Sequence, residues 1–453
     1  MTATERSTSP TRLPRRTIAS YAIGSIGTGG FSALPGLVLV YYLTDTLGVT
    51  ALIAGLLVTV AKVWDVVIDP IIGGRSDRSL AHTGSRRRFM MLGAVLLPVF
   101  FILTFAVPEG MSPLVSGVWV FVAFVLAATA FSLFQVPYIA LPAELSDNYD
   151  ERTRLLTWRV VVLTFAILLF GAGGPALRSI GGGSTYLGYL LMAVIAGLVI
   201  GGGLFASSFV AKKGLVPTSI PKPVSIRENY AAGFRALKRS QPFRALLLTF
   251  LLQGLATGLM LAGAQYIATY VLKSEDAVTF LFVALIAPAL LAAPLWGKVA
   301  NRIGKERAFT YATILYAVAA LSLVGLLWAP GDWAYIPVGL AGAAYAGMQS
   351  LPMAMLPDVI SHDASSHGDG QAGTFGGMWT AGETTGMALG ATVLTIVLAI
   401  SGYTESVAGV DVVQSAGAIA GIIVSFSVVP AALLALSLIS LARYRLRKES
   451  IGQ

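Results

Sequence analysis

The sequence of 453 residues contains no cysteine, which excludes disulfides, thiolate nucleophiles and cysteine metal sites. Its three histidines lack the spacing of a metal site. Charged residues make up only 12% of the chain, about half the share found in soluble domains, whereas hydrophobic residues make up 56%. The sequence also lacks a nucleotide motif and a nucleophile–base arrangement, so nothing in it indicates an enzyme.

Apolar runs of about twenty residues recur along the whole chain, and each is long enough to cross a bilayer as a helix. They are too long and too uniformly apolar for the strands of a membrane β-barrel. The sequence therefore predicts an all-α membrane protein of twelve transmembrane helices. The predicted spans are 18–44, 50–73, 89–107, 114–142, 158–177, 186–209, 243–271, 277–297, 308–328, 333–357, 372–400 and 414–441.

The net charge of +9 comes from 31 basic residues that cluster in alternate loops. This pattern does not indicate a nucleic-acid binder. It follows the positive-inside rule, which places basic loops in the cytoplasm. We therefore expect a multi-pass protein of the cell (inner, cytoplasmic) membrane with both termini in the cytoplasm.

A basic, proline-containing segment near the middle of the chain divides it into two halves. The motif at 73–78 recurs in a related form at 297–302, after the matching span of the second half. We predict a cytoplasmic tail at 1–17, a six-helix half at 18–210, a linker at 211–242, a second six-helix half at 243–441 and a tail at 442–453. Two such halves suit a rocking transporter with its site at the midplane.

Three charged residues share one face of the second predicted span. Lys62, Asp65 and Asp69 are spaced at i, i+3 and i+7. Charges at membrane depth are costly unless they pair or line a wet cavity. A static ion pair with Lys62 is one interpretation. The other is a cation site, because one lysine cannot neutralise two carboxylates.

Short motifs in both halves resemble those of the glycoside–pentoside–hexuronide:cation symporters, a family within the major facilitator superfamily. The motifs that carry the resemblance lie at 21–24, 41–45, 60–70, 137–138, 151–159 and 357–359. The resemblance implies a major facilitator fold with two pseudo-symmetric halves. It also implies cation-coupled symport by alternating access, without a cofactor.

The resemblance further implies that Asp65 and Asp69 are cation ligands, and that Lys62 takes the place of an arginine as their charge partner. Gln135 occupies the position of the family's third acidic ligand and brings an oxygen without a charge. The coupling ion could be H+ or Na+. A proton needs one carboxylic acid, whereas sodium needs several oxygen ligands, so the loss of an acid favours protons.

The family's sugar-binding positions differ more. Gly29, Ile139 and Thr384 stand where galactoside-binding members have an acid, a tryptophan and a lysine, so galactoside recognition is not implied. Arg159 and Trp379 match residues at or near the family's substrate site. The predicted substrate-binding residues are Gln135, Tyr138, Arg159, Trp379, Glu383 and Thr384.

Glu383 stands alone in the eleventh predicted span, where contact with lipid would be too costly. It could carry a second proton, pair with a cationic substrate group, or be a protonated acid bonded to a neighbouring helix. Other polar residues resemble the family's cytoplasmic gate. These are Asp77, Arg78, Glu151, Arg152, Asn301 and Arg302.

These features favour a cation-coupled symporter of a small solute, such as a glycoside or pentoside. A carrier of lysolipids or other amphiphiles with the same fold is the alternative, and a non-transporting receptor or enzyme has less support. The expected partners are a small-molecule substrate, a monovalent cation and the lipid bilayer, but no nucleic acid. We expect a monomer.

Overall fold

The computed structural model describes residues 12–146, 149–178, 185–211, 235, 237–274, 276–367, 372–410, 412–444 and 446. In this part of the chain, twelve long helices pack as two groups of six. The first half consists of α1 Arg15–Thr46, α2 Ala51–Thr83, α3 Arg87–Phe105, α4 Pro113–Leu145, α5 Tyr149–Arg178 and α6 Thr185–Ser208. The second half consists of α7 Gln241–Val271, α8 Ala277–Ile303, α9 Lys305–Leu327, α10 Tyr335–His367, α11 Ala372–Ile400 and α12 Ala416–Leu441.

The helices have the length and composition of membrane spans. Eleven of those in the described residues are long and apolar enough to cross a membrane. The remaining long helix, α10, has 33 residues but a more polar sequence that includes Gln349. Apart from the isolated bridge between Leu47 and Val407, the described residues contain no β-structure. The predicted all-α membrane fold is confirmed.

The ends of the bundle differ in charge. We call the end where α1 begins and α12 ends the basic side, and the opposite end the far side.

The predicted linker at 211–242 and both tails lie largely outside the described residues.

Several helices continue beyond the predicted spans on the basic side. α2 was predicted to end at residue 73 but ends at Thr83, where Gly84 has a φ of +66°. α8 likewise continues to Ile303, and Gly304 follows with a φ of +94°. The predictions stopped where the apolar run stopped, but a helix can continue into the aqueous layer until a residue such as glycine allows the left-handed turn.

Small residues bring α7 and α11 into close contact. A Cβ added to Gly258 of α7 would lie 2.9 Å from the Cα of Met387 on α11. A Cβ added to Gly386 of α11 would lie 2.6 Å from the carbonyl oxygen of Leu251 on α7. The backbones therefore touch, as at other membrane helix interfaces formed by small residues.

Gly258→Ala should force these two helices apart. Overpacking of this kind typically costs about 1–3 kcal/mol, so we expect a lower melting temperature for the purified protein in detergent. Gly254→Ala, one turn away, is the matched control because its Cβ would lie 3.5 Å from the nearest atom, the Met387 nitrogen. Equal melting temperatures for the two variants would contradict the close contact at Gly258.

In the described residues, the main helix contacts between the two halves are those of α1 with α7, α2 with α11, and α5 with α8. Thr59 of α2 bonds to the Ala388 carbonyl of α11 at 3.4 Å and to the hydroxyl of Thr392. Thr279 of α8 donates to the Ala172 carbonyl of α5 at 3.1 Å. All of these residues lie in the far-side parts of their helices.

Candidate functional site

The far side is closed by a group of hydroxyl and carboxylate side chains, which we call the far-side seal. It consists of Thr44, Asp45, Tyr266, Tyr270 and Tyr403. Asp45, at the end of α1, accepts hydrogen bonds from Thr44 at 2.5 Å, from Tyr403 at 2.5 Å and from Tyr270. The Thr44 hydroxyl lies 2.6 Å from that of Tyr266. Both tyrosines that bond to Asp45 belong to the second half, so this carboxylate holds the two halves together.

The loop between α11 and α12 strengthens this closure. The Glu405 carboxylate accepts a hydrogen bond from the Ala51 amide at 2.7 Å. Ala51 is the first residue of α2, where the free backbone amides and the helix dipole favour a negative charge. Backbone bonds from Ser406 to Thr44 and from Ala408 to Thr46 fix the loop against α1. The first half is thus capped by a loop of the second half.

The α2 charges lie next to α1 and α4. Lys62 Nζ is 3.5 Å from Asp65 Oδ2, and it lies 5.6 Å from the ring centroid of Phe31 and 5.7 Å from that of Phe124. Asp65 is 8% exposed. Asp69 lies beside Ser132 of α4. The predicted charge partner is therefore in contact with Asp65.

Three buried oxygen atoms near these charges have no hydrogen-bond partner among the described residues. They are Oδ1 of Asp65, Oδ1 of Asp69 and Oε1 of Gln135. Gln135 lies one turn beyond Ser132, the α4 residue beside Asp69. Buried polar atoms normally have partners, so three unpaired acceptors indicate a place for an ion, a proton or water. In the described residues, no group of His, Cys, Asp and Glu is arranged to hold a metal ion.

Tyr138 was predicted to line the substrate cavity, but in this conformation it is buried between helices. Its exposed fraction is 0%, and its hydroxyl donates to the Tyr21 carbonyl at 2.8 Å while lying 3.0 Å from the Ser25 hydroxyl. Its ring stacks on that of Tyr21 at 4.5 Å. The Arg159 guanidinium lies 5.5 Å from the Tyr138 ring centroid, and its buried Nε has no partner among the described residues. In this conformation Tyr138 holds α4 against α1, and its role in substrate binding stays a prediction.

A pocket in the second half contains Glu383. It lies between α7, α10 and α11, and its polar lining comes from Gln253, Thr257, Tyr345, Gln349 and Glu383. Phe250 forms part of its wall and stacks on Trp379 at 4.2 Å. Thr384 does not line this pocket, and Trp379 is 2% exposed with no partner for Nε1 among the described residues.

Four of the six predicted gate residues, Asp77, Arg78, Glu151 and Arg152, each form at least one bond within the first half. Asp77 pairs with Arg86 at 2.5 Å, and Arg86 also pairs with Glu144 at 2.5 Å. Arg152 donates to the Ser146 carbonyl at 2.5 Å. Three other contacts complete this set: Arg78 with the Gly74 carbonyl, Glu151 with Arg154, and Glu151 with the Leu13 amide.

All six of these gate residues lie on helices rather than in loops. Glu151 and Arg152 belong to the first turn of α5, and Asn301 and Arg302 to the last turn of α8. The position of α5 corrects the predicted start of the fifth span at residue 158. A gate that closes the basic side stays a prediction.

Several residues that the structure brings together had no predicted role. Asp45 lies in a motif that carried the family resemblance, but its tyrosine partners are far away in sequence. Tyr345 and Gln349 are polar residues at i and i+4 on α10, the long helix in the described residues that lacks a sufficiently apolar membrane span. That spacing was a usable signal, because two polar residues on one face of a membrane helix indicate a polar neighbour.

The similarity to known proteins agrees with this architecture. Residues 20–448 match the family described as MFS/sugar transport protein. The chain belongs to this family. It is a multi-pass membrane transporter of the major facilitator superfamily and not an enzyme, and its relatives confirm the resemblance to the glycoside–pentoside–hexuronide symporters.

Two curated relatives match over nearly their whole length. The glucuronide carrier protein homolog of Escherichia coli is 25% identical over 446 residues, which cover 96% of this chain and 93% of the relative. The isoprimeverose transporter of Lactiplantibacillus pentosus is 26% identical over 443 residues, covering 95% and 88%. The xylose transporter XylE of E. coli, solved in a partially occluded inward-open conformation, has the same fold, with a TM-score of 0.64, 13% identity and coverage of 96% and 98%.

Proposed function

We propose that this protein is a cation-coupled symporter that moves a small polar solute, such as a glycoside or pentoside, by alternating access. The cation would bind at Asp65, Asp69 and Gln135, and the solute would bind between the halves. The unpaired buried oxygens of these three residues carry the proposal. Two carboxylates and one lysine leave an excess of negative charge when both acids are ionised, which attracts a cation.

We further propose that the basic side faces the cytoplasm, in keeping with the positive-inside rule. The far-side seal then closes the entrance from outside. In this arrangement the solute and the cation would leave toward the cytoplasm. The seal would have to open in the other half of the transport cycle.

The names of the relatives suggest where to look for the solute. One is named as an isoprimeverose transporter and another as a glucuronide carrier homolog. The polar residues around Glu383 favour a polar solute over a lysolipid. A thermal-shift screen with glycosides, pentosides, glucuronides and lysolipids would select the substrate, because a ligand that binds the folded state stabilises it.

Protons are the coupling ion that we expect. Gln135 brings no charge to the site, and Lys62 contacts Asp65, so the attraction for sodium is weaker than it would be with three acids. In proteoliposomes, an inward gradient of one pH unit should drive accumulation of up to about tenfold with one proton per solute. The measurement is uptake of the solute selected by the screen, under one ion gradient at a time.

The control for this prediction is the same uptake after a proton ionophore has collapsed the gradient. Protein-free liposomes measure passive entry. Accumulation that follows a sodium gradient at equal pH on both sides, and ignores a proton gradient, would show that sodium is the coupling ion.

A further inference from the structure

The pocket around Glu383 lies at about the same depth as the α2 acids. Thr59 of α2 contacts Ala388 of α11, and both helices then run toward the basic side. With a rise of about 1.5 Å per residue, Asp65 and Glu383 each lie about 8–9 Å beyond that contact. The two acids therefore lie at one level, on opposite halves of the protein.

Two hydrogen bonds within this pocket each occupy one donor. Gln349 Nε2 donates to the Tyr345 hydroxyl at 2.7 Å. The Thr257 hydroxyl donates to the Gly254 carbonyl at 3.1 Å. These bonds occupy one N–H of Gln349 and the O–H of Thr257, and the Glu383 carboxylate in the lining offers two oxygens that accept hydrogen bonds from a ligand.

The orientation of Gln253 is fixed by its neighbour Thr313 on α9. The Thr313 hydroxyl donates to the Phe309 carbonyl at 2.8 Å, so it accepts from Gln253 Nε2 at 2.9 Å. Gln253 is 2% exposed, and its Oε1 has no hydrogen-bond partner among the described residues. The amide is thus held by its nitrogen, and its oxygen remains available in a pocket that Gln253 lines.

No cationic side chain lines the pocket to balance the negative charge of Glu383. None of the nine residues that line it is lysine, arginine or histidine. A buried carboxylate needs a counter-charge or a proton. The space is narrow and has room for one group about the size of a water molecule. A primary ammonium group has that size, carries a positive charge and donates three hydrogen bonds.

We propose that the pocket formed by Gln253, Thr257, Tyr345, Gln349 and Glu383 binds a protonated amino group of the transported solute. The solute would then be an amino-substituted sugar or glycoside. Glu383 supplies the opposite charge, and Gln253 Oε1 accepts a hydrogen bond. This inference rests on the proposed function and specifies the solute that the symporter carries.

The test compares sugars that differ at one substituent. Binding to the purified protein is measured at equilibrium by calorimetry with three pairs: glucosamine and N-acetylglucosamine, galactosamine and N-acetylgalactosamine, and 6-amino-6-deoxyglucose and glucose. We expect at least one free amine to bind tenfold or more tightly than its neutral partner. Glu383→Gln should remove that preference, because it weakens binding of the amine far more than binding of the neutral sugar. Glu109→Gln, in an exposed far-side loop, is the matched control and should keep the preference.

Two results would overturn the inference. One is that no amine binds better than its neutral partner. The other is that Glu383→Gln weakens the binding of amine and neutral sugar equally, which would indicate a structural role. Size-exclusion chromatography detects a variant that does not fold. In that case Glu383→Asp, which retains the charge, is the second variant. It should keep a reduced preference for the amine. If the amine preference is absent but a neutral glycoside still accumulates under an ion gradient, the inference is wrong and the proposed symport stands. If no solute accumulates, the symport proposal is wrong, but the binding preference measured at equilibrium is still a valid result.

Discussion

Asp65→Asn is expected to abolish concentrative uptake and to leave the protein folded and inserted. The Asp65 carboxylate is buried, lies 3.5 Å from Lys62 Nζ and keeps one oxygen without a partner among the described residues. The amide has nearly the same shape but cannot take up a proton or balance the lysine charge. The ratio of internal to external solute under an ion gradient should therefore fall to about one, the value without coupling. Uptake by proteoliposomes measures this ratio.

Three further measurements make this result specific. Exchange of labelled for unlabelled solute, which needs no ion gradient, should persist in Asp65→Asn if solute binding is intact. Asp332→Asn changes an exposed acid outside the site and is the matched control. Asp69→Asn, tested in parallel, shows whether the second acid is equally required. Full accumulation by Asp65→Asn would show that this carboxylate is not the coupling group.

Asp45→Asn is expected to weaken the far-side seal and to populate a state open on that side. Hydrogen bonds to a charged acceptor contribute about 1.5–3 kcal/mol each, and the bonds from Tyr270 and Tyr403 both connect the two halves. A loss of about 3 kcal/mol changes the ratio of closed to open molecules by about 100-fold. Both tyrosine hydroxyls bond to Oδ1 and Thr44 bonds to Oδ2. The amide oxygen of asparagine accepts from the tyrosines only as a neutral acceptor, which weakens both bonds, and the amide nitrogen cannot accept from Thr44.

The complete lack of cysteine makes this shift straightforward to measure. Spin labels on Glu109→Cys and Asp276→Cys, at exposed far-side positions in opposite halves, report their separation by pulsed electron spin resonance. The distance distribution should broaden toward longer values in Asp45→Asn but not in Asp332→Asn. Tyr403→Phe removes one of the bonds and should have a smaller effect. An unchanged distribution in Asp45→Asn would mean that other contacts, such as Glu405 with Ala51, suffice to hold the seal.

Local patterns in the sequence were enough to predict much of this fold. Hydrophobic runs identified the spans, and the shared face of Lys62 and Asp65 followed from helical spacing alone. The helix ends were less accurate, because α2 stays helical through charged residues until Gly84 permits it to stop. Hydropathy detects the membrane boundary, whereas the backbone hydrogen bonds of a helix do not end there.

The candidate sites were harder to predict, because they depend on contacts between distant segments. Asp45 acquires its role from Tyr270 and Tyr403, which are 225 and 358 residues away. The free oxygen of Gln253 depends on Thr313, 60 residues further along the chain. Tyr138 was expected near the substrate but is fully buried against Tyr21, and only its packing partners distinguish these two environments. No single-helix pattern contains that information.

The 33 residues of α2 form one helix about 50 Å long, and three parts of the proposed transport cycle lie along it. Its first amide is bonded to Glu405, its middle carries Asp65 and Asp69, and its last turns carry Asp77, which pairs with Arg86. A shift of this helix caused by neutralising its acids would reach both membrane surfaces at once.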